Sequence, residues 1–144
     1  MTQREIIDTV ANWLTGNLPA GWVDEVLDPQ AMYAPIFYKL NAPDRSAVIV
    51  KPHQIEWVRK DRGPARRTHY IDILIFGGSK KETHVKAILD GIEQLGNKLM
   101  QMPFDEIDVY AVETLADSPA GYDQTALAET KEPFMGGVRV ECRV

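Results

Sequence analysis

The stretch Thr68-His69-Tyr70-Ile71-Asp72-Ile73-Leu74-Ile75-Phe76, closed by Gly77-Gly78-Ser79, decides the fold class. Side chains alternate across an extended chain, so Ile71, Ile73 and Ile75 share one face and Tyr70, Leu74 and Phe76 the other. Asp72 interrupts that second face. Gly77-Gly78 ends the strand, and Ser79 and Glu82 then stand at capping-box spacing, the signature of a helix start. Beyond them Val85, Ile88, Leu89, Ile92, Leu95 and Leu99 recur at helical intervals, with Asp90, Glu93, Gln94 and Lys98 on the opposite side. The spacing predicts a helix over residues 80–100, about 30 Å long at 1.5 Å per residue.

Upstream, residues 47–51 are almost continuously apolar, as a central strand requires, and Pro52 is expected to end it. A further extended run covers residues 55–60. Between it and Thr68 lies Arg59-Lys60-Asp61-Arg62-Gly63-Pro64-Ala65-Arg66-Arg67, in which Gly63-Pro64 is a turn signal. The two flanking runs therefore predict a hairpin with a projecting, positively charged tip. Residues 36–40 read as extended, and residues 17–35, rich in turn formers, as a short strand or irregular wrap. At the N-terminus Thr2 and Glu5 form a second capping-box pair ahead of Ile6, Val10, Trp13 and Leu14, with Gly16 as a stop.

Downstream, Pro103 ends the helical region. Ile107, Val109 and Ala111 alternate with Asp108, Tyr110 and Val112 in a strand running to about Leu115. Val138, Val140, Cys142 and Val144 alternate with Arg139, Glu141 and Arg143 in the last strand, the pattern of an antiparallel sheet with one packed and one wet face. Residues 117–132, small and polar, are too long for a tight turn, and such loops in compact domains are usually functional or mobile. The order predicts a single α+β domain over residues 1–144: a mostly antiparallel sheet with an N-terminal helix and one long helix packed on one face.

Composition narrows the class of function. A chain of 144 residues with 44% hydrophobic and 26% charged residues is that of an ordinary globular domain. Its longest apolar runs are far short of the roughly 20 residues of a membrane span, and the N-terminus lacks the apolar core of a signal peptide. A cytoplasmic protein is expected. Cys142, the sole cysteine, excludes an intrachain disulfide and a thiolate cluster, and a small buried role suits it best. The net charge is −5, yet the segment from Arg59 to Arg67 carries five positive charges and one negative, leaving −9 for the rest. Such asymmetry signals a partner.

Residues able to do chemistry do not assemble into a pattern. His53, His69 and His84 lack metal-ligand spacing, so no metal or cofactor is expected. Gly77-Gly78-Ser79 before a helix resembles a phosphate cradle in outline but lacks the P-loop lysine and the third glycine of a dinucleotide fingerprint. Ser46, Ser79 and Ser118 lie outside a nucleophile elbow. Asp72 could be a general base, although a solvent-facing or backbone-bonded carboxylate is the simpler role. The basic residues Arg59, Lys60, Arg62, Arg66 and Arg67 hold most information. They suit either the phosphate backbone of DNA, without sequence reading, or an acidic surface on another subunit, for which Asp117, Asp123, Glu129 and Glu132 in the long loop are candidates.

The order of elements resembles the tail terminator and tail-completion proteins of long-tailed bacteriophages, including the U-type minor tail protein. The likeness lies in an opening amphipathic helix (residues 4–14), a strand block with a basic hairpin (47–76), a long helix (80–100) and two closing strands (107–115 and 138–144) separated by a long loop. It implies a non-catalytic virion protein, assembled in the host cytoplasm. Identical subunits, usually six, would form a ring that caps the tail tube and presents a surface to the head. Its partners would be further copies of itself, the tail-tube protein and a head-completion or connector protein, with non-specific contact to packaged DNA. A closed ring needs head-to-tail contacts between unlike surfaces, which a basic patch meeting an acidic one would provide. Alternatives are a head-tail connector or neck protein, a small ligand-binding domain or enzyme using the Gly77-Gly78 turn, and a nucleic-acid-binding module using the basic hairpin.

Overall fold

Thr2 opens the first helix, α1 (Gln3–Asn17), through a reciprocal cap. Its hydroxyl accepts from the Glu5 amide at 3.2 Å and its own amide donates to the Glu5 carboxylate at 2.7 Å. That bond from the Thr2 amide holds the Glu5 carboxyl below its ordinary pKa. The computed structural model describes residues 1–22, 29–31, 33, 46–59, 62–77, 82–101, 106–115 and 135–143. The readings placed on residues 36–40, on about half of 17–35 and on the long loop fall outside these, as do those on Lys60, Gly78 and Ser79.

α1 buries Ile6, Ile7, Val10, Ala11 and Leu14. It continues through Gly16, the expected stop, and ends at Leu18, which is extended (φ −62°, ψ 145°). Pro19 is the reason, because a residue before proline is driven out of the helical region. The last carbonyls of α1 meet a cation from elsewhere in the chain: Lys98 Nζ donates to the oxygens of Asn17 and Leu18, each at 3.3 Å. A positive charge there satisfies orphan acceptors and opposes the helix dipole.

Five strands form one sheet: β1 (Gln30–Ala31), β2 (Ser46–Val58), β3 (Arg66–Gly77), β4 (Asp108–Thr114) and β5 (Met135–Arg143), in the spatial order β1-β2-β3-β5-β4. β1 is parallel to β2 and the remaining pairs are antiparallel. β3 and β4 thus run the same way with β5 between them, and α2 (Glu82–Met100) makes the crossover.

Pro52 does not end a strand. The two upstream runs are one strand of 13 residues, whose register with β3 shifts between Pro52, opposite Ile71, and Gln54, opposite Tyr70. A bulge at His53 absorbs the residue with no amide donor, which is where a sheet tolerates proline.

Both helices pack on the face bearing Val48, Val50, Ile71, Ile73, Ile75, Val138, Val140 and Cys142, which form one core with Ile6, Ile7, Val10, Leu14, Ile92, Leu95 and Leu99. α1 covers the β1–β2 side and α2 the β4–β5 side. Each such fully buried aliphatic side chain stabilises the fold by roughly 1.5–3 kcal/mol. Trp22, at the end of a single 3-10 turn (Ala20–Trp22), is fully buried against α2, and its indole N–H donates to the Ala87 carbonyl at 3.0 Å. Two glycines permit close approaches. A Cβ at Gly91 would overlap the Trp22 indole. At Gly137, with φ of 155°, a Cβ would fall against the Ile73 carbonyl and 3.0 Å from Leu74 Cα.

Candidate functional site

The basic hairpin is an arm that outreaches the sheet. β5 ends at Arg143, level with Thr68, so among the described residues the pairs Trp57–Arg67 and Val58–Arg66 have no third strand beside them. Every described residue from Glu56 to Arg67 is exposed. Arg59, Arg62, Arg66 and Arg67 are all on this arm, and strand alternation puts Trp57 and Arg67 on one side and Val58 and Arg66 on the other. Arg67 also touches the chain start, its Nη2 donating to the Met1 carbonyl at 3.4 Å. Trp57, 63% exposed, is a large apolar surface among cations, and sequence reading passed over it. The signal was present: an indole two residues before a run of five positive charges.

The sheet face away from the helices is charged by row. Register places Lys51, Asp72, Arg139 and Glu113 side by side on four strands, an alternation of signs. Asp72, only 3% exposed, is not solvent-facing, and among the described residues its carboxylate is bonded to side chains and not to backbone. It accepts from Arg139 Nε at 2.9 Å and Nη2 at 3.3 Å, a bidentate pair that raises the guanidinium's pKa further. Arg139 Nη2 also stands 3.2 Å from His53 Nδ1. A guanidinium only donates, so that nitrogen accepts. Two rows on, the Arg143 guanidinium carbon sits 3.4 Å over the Tyr110 ring centroid. Asp72 is thus held as one half of an ion pair.

His69 is on the core face, opposite Cys142 on β5 and Ile55 on β2. It is 1% exposed, and among the described residues neither ring nitrogen has a hydrogen-bond partner. Burial, then the Arg67 charge and the N-terminus, push its pKa down. Cys142 is fully buried, which pushes its thiol up to about 12; the thiolate a nucleophile needs is suppressed. No group of three or more His, Cys, Asp or Glu side chains among the described residues is placed to hold a metal ion. Among the same residues no helix is long and apolar enough to cross a membrane.

Across the sheet from the arm, α2 and the edge strand β4 enclose a groove of about 570 Å³. Leu89, Ile92, Met100 and Val112 give it an apolar lining; the exposed residues Asp90 and Glu93 of α2 line it too, and Glu113 of β4 stands at its rim. Asp90 and Glu93 are legible in the sequence as the polar side of the long helix. Their meeting with Glu113 is not. The loop carboxylates Asp117, Asp123, Glu129 and Glu132 lie outside the described residues. No protein-family model matches the chain, and no curated protein matches it by sequence.

Proposed function

We propose that the protein is a non-catalytic assembly subunit, a ring-forming tail terminator that caps a phage tail tube and offers the head-joining surface. The observation that carries this reading is the arm: a two-stranded ribbon bearing four described arginines and an exposed tryptophan, standing clear of a chain whose net charge is −5. Such concentrated charge repels itself unless an anionic surface receives it. The groups that chemistry would recruit have other roles. Asp72 and His53 are tied to Arg139, and His69 and Cys142 are sealed in the core. The fold adds two unlike edges to one sheet, the geometry a head-to-tail ring requires.

The test is a light-scattering mass across a wide concentration range, with electron microscopy of the protein alone and with tail tubes. A concentration-stable oligomer seen as annuli on tube ends is the expected result. A strictly monomeric protein that never associates with tubes would overturn the reading. The arm also favours a second reading, binding to the phosphate backbone of DNA. That predicts affinity falling steeply with salt, with a slope set by the phosphates contacted.

A further inference from the structure

The molecule is electrostatically two-ended. The arginine arm belongs to β2 and β3, and the acidic groove to β4 and α2, at the other side of the sheet. We propose that the arm of one copy seats in the α2–β4 groove of the next, with Trp57 against Ile92, Met100 and Val112 and the arm's arginines paired with Asp90 and Glu93 of α2. This deepens the assembly reading above and rests on it.

Three observations fix the occupant as a second copy. The first is charge: among the described residues the groove is lined by Asp90 and Glu93 of α2, with Glu113 at its β4 rim and no lysine or arginine, while the arm has arginines at 59, 62, 66 and 67. The second is size and polarity. A pocket of about 570 Å³ accommodates an indole with its flanking stems. Tryptophan and arginine at the centre of an apolar patch ringed by charge are the usual anchors of protein interfaces.

The third is reach. Five residues of β3 separate Arg67 from the Asp72 row that leads across to Glu113, roughly 17 Å along the strand, with two strand spacings of about 4.8 Å to cross. The arm points away over that distance and cannot fold back into its own groove. Donor and acceptor are different patches of one chain, so the contact is heterologous and repeats from copy to copy.

The test uses the full chain in two forms. One combines Trp57→Ala, Arg62→Glu and Arg66→Glu, disabling the arm and leaving the groove. The other combines Asp90→Lys and Glu93→Lys, disabling the groove and leaving the arm. All five positions are exposed, and circular dichroism with an unchanged thermal midpoint confirms that each variant is folded. Sedimentation should show each alone weakened in self-association by at least about thirtyfold, the effect of losing interface anchors. An equimolar mixture should form heterodimers and nothing larger, because only one arm and one groove remain and they are on different chains.

The inference is overturned if either variant assembles like the parent, or if both lose assembly and their mixture stays monomeric. If the parent forms rings in those cases, the assembly reading survives without this contact. If the parent itself never associates, both readings fall. Loss of duplex-DNA binding in the arm variant with self-association intact would assign the arm to nucleic acid and overturn the contact between copies.

Discussion

Two glycines on one helix should respond to alanine with opposite signs. Alanine is favoured over glycine inside a helix by roughly 1 kcal/mol, so on propensity alone both Gly91→Ala and Gly96→Ala should stabilise α2. At Gly96 the new methyl would meet only Val112 Cγ1, at 3.9 Å, and the propensity gain should be realised. At Gly91 it would stand 2.6 Å from Trp22 Cδ1 and closer still to Cε2 and Nε1. An ordinary carbon contact needs about 3.5 Å, so the indole must retreat by roughly 1 Å or more. Trp22 has no exposed surface and nowhere to go. Overpacking of this kind costs about 1–3 kcal/mol. Pulling Nε1 from the Ala87 carbonyl leaves a buried donor unsatisfied, at about 1–3 kcal/mol more. After the propensity gain, the net loss is about 3 kcal/mol, or roughly 10 °C in melting temperature for a chain of this size. Urea unfolding followed by far-UV circular dichroism measures it as a lowered midpoint at constant slope. A Gly91→Ala protein as stable as Gly96→Ala would refute the Trp22–α2 packing.

Three further outcomes are expected. Replacing His69 with leucine removes a buried ring that has no hydrogen-bond partner among the described residues, and should stabilise the protein by about 1–2 kcal/mol at neutral pH. Because burial lowers the folded-state pKa of His69 below 6.5, the unfolded chain takes up the proton first. Wild-type stability should therefore decline as pH falls below 6.5 and level off below the lowered value, whereas His69→Leu should lose that component of the slope; parallel pH profiles for the two would count against it. Asp72→Ala strands the partly buried Arg139 and should cost about 1–3 kcal/mol, while the paired change Asp72→Leu with Arg139→Met should cost much less, as double-mutant unfolding measurements will show. Cys142, its thiol pushed up to about 12, should resist alkylation at pH 8 in the native protein and react fully in denaturant. Stoichiometric labelling of the folded chain would contradict its burial.

Local pattern was sufficient for much of this architecture. The capping box at Thr2 and Glu5, the helical stripe ending at Leu99, and the alternation of β3 and β5 are periodicities of neighbouring residues. Each fixes which face of its own element is apolar, because a helix or strand presents its side chains at a set interval. On that basis the α+β class, the single covered sheet face and the exposed basic hairpin are all legible in the chain. The α1 end is also local, once the rule that Pro19 imposes on Leu18 is preferred to the more familiar glycine stop.

What tertiary structure decided is where distant segments meet. Pro52 lies inside a strand because a bulge opposite Ile71 and Tyr70 accommodates it. Lys98 caps a helix about 80 residues earlier in the chain. β5, last in sequence, inserts between β3 and β4, and that placement turns Asp72 from an anomaly into the partner of Arg139. The same topology sets β4 at one edge, so that Glu113 joins Asp90 and Glu93 around a groove facing away from the arginine arm. No periodicity encodes these meetings: they follow from the strand order and register that bury the most apolar surface, a property of the whole chain.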